Sequence, residues 1–88
     1  MFEFDKAKSA SNKEKHGIDF YEAQMLWRDS TRIEFPSRNV GETRTLVVGR
    51  IGEKVYTAVV TPRNGNIRII SVRRARKEEV ILYETNKR

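Results

Sequence analysis

The chain has 88 residues, of which 38% are hydrophobic and 34% are charged, and its formal net charge is +6. This length suits one domain, residues 1–88, with a modest core. Without cysteine the chain can form no disulfide, thiol nucleophile or cysteine-bound zinc site. No apolar run approaches the ~18 residues of a membrane-spanning helix, so we expect a cytoplasmic protein with no membrane partner. The excess of positive charge favours a polyanionic partner, most commonly nucleic acid.

The first elements expected along the chain are a short strand and a polar helix. Phe2-Glu3-Phe4 alternates apolar and polar side chains, which is typical of a short edge strand. Asp5 can cap a helix over residues 6–16, and Gly17 can end it in the left-handed conformation. The thin buried stripe expected for this helix consists of Ala7, Ala10 and Ser11.

A second, more apolar helix is predicted to follow. Asp19-Phe20-Tyr21-Glu22 has the form of a capping box, and residues 28–30 end the helix. Phe20, Ala23 and Trp27 share one face at helical spacing, broadened by Met25 and Leu26. Its place on this face favours Trp27 as a core residue over a platform for stacking bases.

The second half of the chain is β-rich and ends in a helix. Strands are predicted over residues 31–35, 44–49, 54–61 and 66–72, with a loop over 36–41 and turns over 51–53 and 62–65. A helix over 75–86 should partly bury Ala75, Val80, Leu82 and Tyr83. The expected fold is therefore α+β: a four-stranded antiparallel meander, with a possible short N-terminal strand, packed with two N-terminal helices and one C-terminal helix.

Positive charge is concentrated after residue 62. From Arg63 onward there are eight Lys or Arg against three Glu, a balance of 8 − 3 = +5. Strand alternation predicts Arg68, Ile70 and Val72 on one face, and the other face carries Ile69, Ser71 and Arg73. Because a guanidinium binds phosphate oxygens in a forked geometry, these arginines favour phosphate binding over a merely solvated basic surface.

The titratable groups leave two interpretations open. His16, the only histidine, can act in proton transfer or as a phosphate contact, but it also suits the negative end of a helix dipole. Glu79 and Tyr83 can assist proton transfer beside arginines, or form ion pairs and half-buried core contacts. The sequence has no set of acidic residues and histidine at the spacing of metal ligands, and no Gly-rich phosphate-binding loop precedes a predicted helix. A nuclease of this sequence should therefore need no metal or other cofactor.

An ordered set of motifs spans nearly the whole chain. They are Phe2-Glu3-Phe4-Asp5, Lys8, Asn12, Lys15-His16-Gly17, Phe20-x-x-Ala23, Gly41-Glu42-x-Arg44, Arg68 to Ala75, Glu79, Tyr83 and Glu84. This set resembles the BrnT toxins, with Phe4 in place of the usual Trp and Val72 in place of the usual Ala. Neither departure removes a charged or titratable group.

The resemblance implies a ribonuclease toxin of a type II toxin–antitoxin system with a fold related to the RelE toxins. Such toxins cleave RNA and inhibit translation. A BrnA-type antitoxin neutralises them, and the complex binds operator DNA through the antitoxin. The candidate catalytic residues are His16, Arg68, Arg73, Arg74, Glu79 and Tyr83. The candidate RNA-binding residues are Lys15, Arg63, Arg76 and Lys77.

Two further functions use the same basic surface. A non-catalytic nucleic-acid-binding regulator would bind in a salt-sensitive manner without forming product. A small structural subunit would present its cations to an acidic protein. Product formation from RNA separates both from a nuclease.

Overall fold

A mixed five-stranded sheet forms the centre of the molecule. The computed structural model of the chain describes residues 1–37 and 43–86. The sheet order is β1-β5-β4-β3-β2. The strands are β1 Phe2–Glu3, β2 Ile33–Pro36, β3 Thr45–Ile51, β4 Lys54–Arg63 and β5 Asn66–Arg74. The neighbouring pairs from β2 to β5 are antiparallel, whereas β1 runs parallel to β5 at Ile67 and Arg68.

The α+β class is confirmed, but the purely antiparallel four-stranded sheet is wrong. The N-terminal segment joins the opposite end of the chain, and the amide of Ile67 donates to the carbonyl oxygen of Met1 over 2.8 Å. This pairing is non-local, and two residues carry too little local pattern to specify its direction. The relation to the RelE fold stays a prediction.

Helix α1 has the predicted bounds, Lys6–His16, but it buries different residues. Asp5 Oδ1 accepts from the Lys8 amide over 3.0 Å, and Gly17 ends the helix with a φ of 76°. Ser9 and Asn12 are buried, whereas Ala7 and Ala10 are exposed, so the predicted buried stripe is wrong. The helix meets polar backbone groups of the chain here, which alanine cannot satisfy.

The second helix is shorter than predicted. Helix α2, Phe20–Ala23, begins with the expected capping box at Asp19 and continues as a 3-10 helix over Gln24–Arg28. Phe20, Ala23 and Leu26 are buried. Trp27 packs against this core, with its ring centroid 4.7 Å from that of Phe2, as expected of a core residue.

The helices cover both faces of the sheet. The α1, α2 and 3-10 segments share one core with β-strand residues Val47, Ala58, Val60, Ile69 and Val72. Helix α3, Lys77–Asn86, packs on the other face, where Tyr83 contacts the cluster of Val48 and Val55. Leu82 was predicted to be partly buried, but it is 53% exposed.

A β-bulge changes which side chains of β5 share a face. The register passes from Val59 opposite Ser71 to Val60 opposite Ile69, so Ile70 is the extra residue. Ile69 and Val72 therefore both reach the core beneath the N-terminal helices. The predicted alternation, which separated these two residues, is wrong because it assumed an uninterrupted strand.

The remaining sequence predictions concern turns and one loop. Asn64 and Gly65 have φ values of 52° and 81°, as the Asn-Gly hairpin signal indicates. Most of the loop predicted over 36–41, and the Gly41-Glu42 part of the toxin motif, lie outside the described residues. None of the helices in the described ranges is long and apolar enough to span a membrane.

Candidate active site

A basic groove runs between α1 and β5. Its volume is about 230 Å³. We name it the α1–β5 groove; its lining residues are Lys8, Ser11, Asn12, Lys15, His16, Phe20, Ile70 and Ser71. The lining carries cations, hydroxyl groups and one imidazole but no carboxylate, so its chemistry suits an anionic ligand such as a phosphate.

The groove exists because Asn12 joins α1 to the edge of β5. Its Nδ2 donates to the carbonyl oxygens of Ile18 and Val72, each over 2.8 Å, and its Oδ1 accepts from the Val72 amide over 3.3 Å. β1 pairs only with Ile67 and Arg68, so this part of the β5 edge is satisfied by a side chain instead of a strand. The same helix face therefore carries the groove cations alongside β5.

Three groove side chains provide charge and a titratable group. Lys8, Lys15 and His16 are spaced along one face of α1 and are all exposed. Within the described part of the chain, His16 makes no side-chain hydrogen bond or ion pair. It also lies in the last turn of α1, where a cation is favourable, so both sequence interpretations fit its position.

Arg73 and Glu79 form a tight ion pair on the opposite face of the sheet. The Nη1 and Nη2 atoms of Arg73 donate to Oε1 and Oε2 of Glu79 over 2.8 and 2.9 Å. Oε1 also accepts from the hydroxyl of Thr57 and the amide of Arg76, each over 2.8 Å. This arrangement fastens the start of α3 to the end of β5.

The environment of Glu79 strongly favours its ionised form. Burial alone would raise its pKa, but the hydrogen bonds from Arg73, the Arg76 amide and Thr57 outweigh this effect and lower the pKa to about 2. The hydrogen bonds that Arg73 donates to Glu79 likewise raise the pKa of Arg73. A carboxylate held in this way is a poor proton acceptor near neutral pH.

A second ion-pair cluster holds β1 against β5. Arg68 Nη1 lies 3.0 Å from Glu3 Oε2, and Arg63 Nε lies 4.0 Å from the same oxygen. The hydrogen bond from the side-chain amide of Asn66 lowers the pKa of Glu3 the most, and the hydrogen bond from Arg68 lowers it further. Arg68 thus reaches a partner, as expected of an arginine within an apolar strand.

Tyr83 belongs to a third network, away from the groove. Its hydroxyl donates to Asp29 Oδ2 over 2.6 Å, and the Arg50 amide donates to the same oxygen over 2.8 Å. Burial opposes ionisation of Asp29, but hydrogen bonds from Tyr83, Thr31 and Arg50 hold its pKa well below the usual range. These residues border a pocket of about 390 Å³.

The last basic residues lie at the end of β5 and the start of α3. Arg74, next to Arg73, faces the other side of the sheet, where its guanidinium carbon lies 5.8 Å from the centroid of the Tyr56 ring. Arg76 and Lys77 are exposed before and at the first residue of α3. All three cations are exposed, and none of them lines the α1–β5 groove.

A protein-family comparison decides which family these features belong to. The family of ribonuclease toxins called BrnT, from type II toxin–antitoxin systems, matches residues 4–79. The chain belongs to the BrnT family. Membership makes it a ribonuclease toxin with an antitoxin partner. A comparison with curated protein sequences gives no match.

The BrnT match covers most of the predicted site residues. Residues 4–79 include the whole α1–β5 groove and the basic end of β5, whereas Tyr83 lies outside the matched range. Of the predicted catalytic residues, only His16 lies in the groove, where it is joined by Lys15. The catalytic and RNA-binding roles assigned from the sequence stay predictions.

The sequence predictions assigned only Lys15 and His16 of the eight groove residues of this BrnT toxin to the site, and the six others include Lys8, Ser11 and Ser71. Lys8 lies seven residues before Lys15, so helical spacing could have placed the two lysines on one face. Ser11 could have been found in the same way. Ser71 could not, because its place depends on the bulge in β5. In the described ranges, no three His, Asp or Glu side chains are grouped as metal ligands.

Proposed function

We propose that this BrnT toxin is a metal-independent endoribonuclease whose reaction takes place in the α1–β5 groove. The observation that carries this proposal is the set of groove side chains: Lys8 and Lys15 supply positive charge, His16 supplies an imidazole that can give or accept a proton, and the lining has no carboxylate. Carboxylates are the usual protein ligands of Mg²⁺, so the donor set suits direct phosphate binding better than a metal site.

The proposed reaction uses the RNA as its own nucleophile. The 2′-oxygen bonds to the adjacent phosphorus as its proton is removed, and the bond from phosphorus to the 5′-oxygen breaks as that oxygen takes a proton. The products carry a 2′,3′-cyclic phosphate and a 5′-hydroxyl. Lys8 and Lys15 stabilise charge on the phosphate oxygens, and His16 exchanges a proton at one of the two oxygens.

In this proposal the arginines do not take part in proton transfer. Arg73 is bonded through both terminal nitrogens to Glu79, and Arg68 is paired with Glu3, so each positions a strand or helix. Arg74, Arg76 and Lys77, which are exposed, extend the RNA-binding surface beyond the groove. Cleavage of cellular RNA inhibits translation, and a BrnA-type antitoxin neutralises the toxin and carries the operator-binding function of the complex.

Purified toxin, free of antitoxin, incubated with RNA and excess EDTA tests this function. We expect cleavage to persist in the chelator and to leave 2′,3′-cyclic phosphate ends. RNA methylated at the 2′-oxygens should remain intact because it lacks the nucleophile. If the unmodified RNA also remains intact, or if cleavage requires added Mg²⁺, the proposal is wrong.

One observation favours a second candidate, a non-catalytic nucleic-acid-binding regulator. His16 is the only imidazole in the groove lining, and the lining contains no carboxylate that could assist it in proton transfer. Such a protein would bind RNA in the groove without forming product. The same incubation separates the two functions, because binding with intact RNA fits only the regulator.

A further inference from the structure

Helix α1 runs along β5 in the same direction as the strand. Strand β1 places Glu3 opposite Arg68 near the start of β5, and α1 begins three residues later at Lys6. Further along both elements, the side chain of Asn12 in α1 bonds to the backbone of Val72 in β5. The last turn of α1 and the last residues of β5 therefore lie near each other.

This alignment brings Arg74 to the His16 end of the α1–β5 groove. His16 is four residues beyond Asn12, a rise of about 6 Å along a helix. Arg74 is two residues beyond Val72, about 7 Å along a strand. Arg74 is exposed on the side of the sheet that α1 covers, because it lies over Tyr56, which packs against the core under the N-terminal helices. An RNA strand that leaves the groove at this end meets Arg74.

Tyr56 orients the guanidinium of Arg74. The two residues are directly opposite each other on β4 and β5, and the guanidinium carbon lies 5.8 Å from the centroid of the Tyr56 ring. The negative face of an aromatic ring attracts a cation without using any of its N–H groups. Within the described ranges the Arg74 side chain makes no hydrogen bond or ion pair, so its N–H donors are available to a ligand.

The other two arginines of β5 already have partners. Arg68 lies 3.0 Å from a carboxylate oxygen of Glu3, and Arg73 donates to Glu79 through both of its terminal nitrogens. Arg74 thus differs from both, since its orientation is fixed by a ring and its donors are not used. A planar guanidinium in this state can bind two oxygens of one phosphate.

We propose that Arg74 binds the phosphate next to the one cleaved in the groove, and that Tyr56 is the positioning residue that orients it. The inference rests on the proposed function, because it takes the RNA strand to lie in the groove. A second fixed phosphate sets the register of the RNA over His16. Among the described residues, Arg76 and Lys77 lie over no aromatic ring, so they contribute charge without a fixed geometry.

The test is a double-mutant cycle on the affinity of the full-length toxin for 2′-O-methyl RNA, which lacks the nucleophile and is not cleaved. We expect Arg74→Ala to weaken binding about 10-fold, as the loss of a charge-assisted contact does. Tyr56→Leu should weaken binding about 3-fold, the size of an exposed cation–π contact, and Tyr56→Phe should bind like the wild type. The variant carrying both Tyr56→Leu and Arg74→Ala should bind no more weakly than Arg74→Ala alone.

A second measurement identifies the phosphate, and a control excludes a general effect of charge. Neutral methylphosphonate linkages are placed one at a time along the same oligonucleotide. At one linkage the replacement should weaken binding by the wild type but not by Arg74→Ala. The matched control is Arg28→Ala, which removes an exposed arginine at the end of the 3-10 helix and should keep wild-type affinity.

Three results would overturn the proposal. They are wild-type affinity in Arg74→Ala, a double variant whose loss is the product of the two single losses, and equal sensitivity of the wild type and Arg74→Ala to every neutral linkage. Thermal melts check that each variant folds, and Tyr56→Met replaces Tyr56→Leu, with the same expected result, if the latter does not. Because affinity is measured without cleavage, an inactive nuclease leaves these results readable. Wild-type affinity in Lys15→Ala would contradict the groove of the proposed function and not the Arg74 contact.

Discussion

His16 is the residue on which the chemistry of the proposed reaction depends. We expect His16→Ala to slow RNA cleavage by ~10²-fold or more, the usual size of a general acid or base contribution. The side chain is exposed and makes no hydrogen bond in the described ranges, so the melting temperature should stay unchanged. Single-turnover cleavage measured across pH 5–8, beside thermal melts, checks both expectations.

A second substitution separates proton transfer from charge at this position. His16→Lys places a permanent cation at the helix end but removes the imidazole needed for proton transfer. If His16 transfers a proton, this variant stays slow, like His16→Ala. Full recovery of the cleavage rate in His16→Lys would mean that the residue acts only through its charge.

Glu79 makes stability depend on pH in a defined direction. Its pKa falls from 4.5 to about 2 on folding, so its contribution is present above pH 4.5 and lost as the pH falls towards 2. Glu79→Gln should lower the free energy of unfolding at pH 7 by about 3 kcal/mol, since each pKa unit corresponds to ~1.4 kcal/mol. Urea denaturation of both proteins at pH 7 and pH 2.5 measures this difference.

The difference in the free energy of unfolding between the wild type and Glu79→Gln should be smaller at pH 2.5 than at pH 7. Asp29, whose pKa is also lowered, is present in both proteins and so cancels from the comparison. A difference of the same size at both pH values would show that the loss comes from packing and not from the ionised pair with Arg73.

At the scale of elements, the docking of α1 on β5 depends on Asn12. Asn12→Ala leaves the buried Val72 amide and the Ile18 carbonyl without their partners, at an expected cost of about 3 kcal/mol in the free energy of unfolding. Ser11→Ala, an exposed change one residue away, is the control and should cost less than ~0.5 kcal/mol. Equal urea midpoints for the two variants would contradict this role.

Local sequence signals predicted the helices and strands better than they predicted which of these elements pack or pair with one another. Asp5 and Gly17 gave the bounds of α1 because a cap and a left-handed glycine act within one turn. The parallel pairing of β1 and the bulge at Ile70 depend on contacts distant in sequence, and the chain has no local pattern for them. Ser9 and Asn12 replace the expected alanines because the surface beneath them is polar backbone.

The candidate site was only partly predictable for the same reason. Composition and spacing indicated Lys15 and His16, and both lie in the groove. Arg68 and Arg73 were predicted to bind phosphate, but their partners Glu3 and Glu79 are recognisable only from tertiary contacts. The sequence does not distinguish an arginine that pairs with a glutamate from an arginine that binds a phosphate.

At the scale of the whole molecule, positive charge borders the α1–β5 groove. Its lining contains Lys8 and Lys15 and no carboxylate. RNA binding should therefore weaken steeply with salt, and Lys15→Ala should reduce the slope of log K against log[salt] by about 0.7, the value for one phosphate contact to a single strand. Filter binding of 2′-O-methyl RNA at several salt concentrations measures the slope, and an unchanged slope would remove Lys15 from the interface.

We propose that RNA is cleaved in the α1–β5 groove. The most direct test of this proposal compares the initial rates of RNA cleavage, in EDTA, for the wild type, Lys8→Ala, Lys15→Ala and the control Lys54→Ala, whose exposed lysine begins β4. We expect a large loss of rate in both groove variants and wild-type activity in Lys54→Ala. Wild-type rates in both groove variants would contradict the proposal.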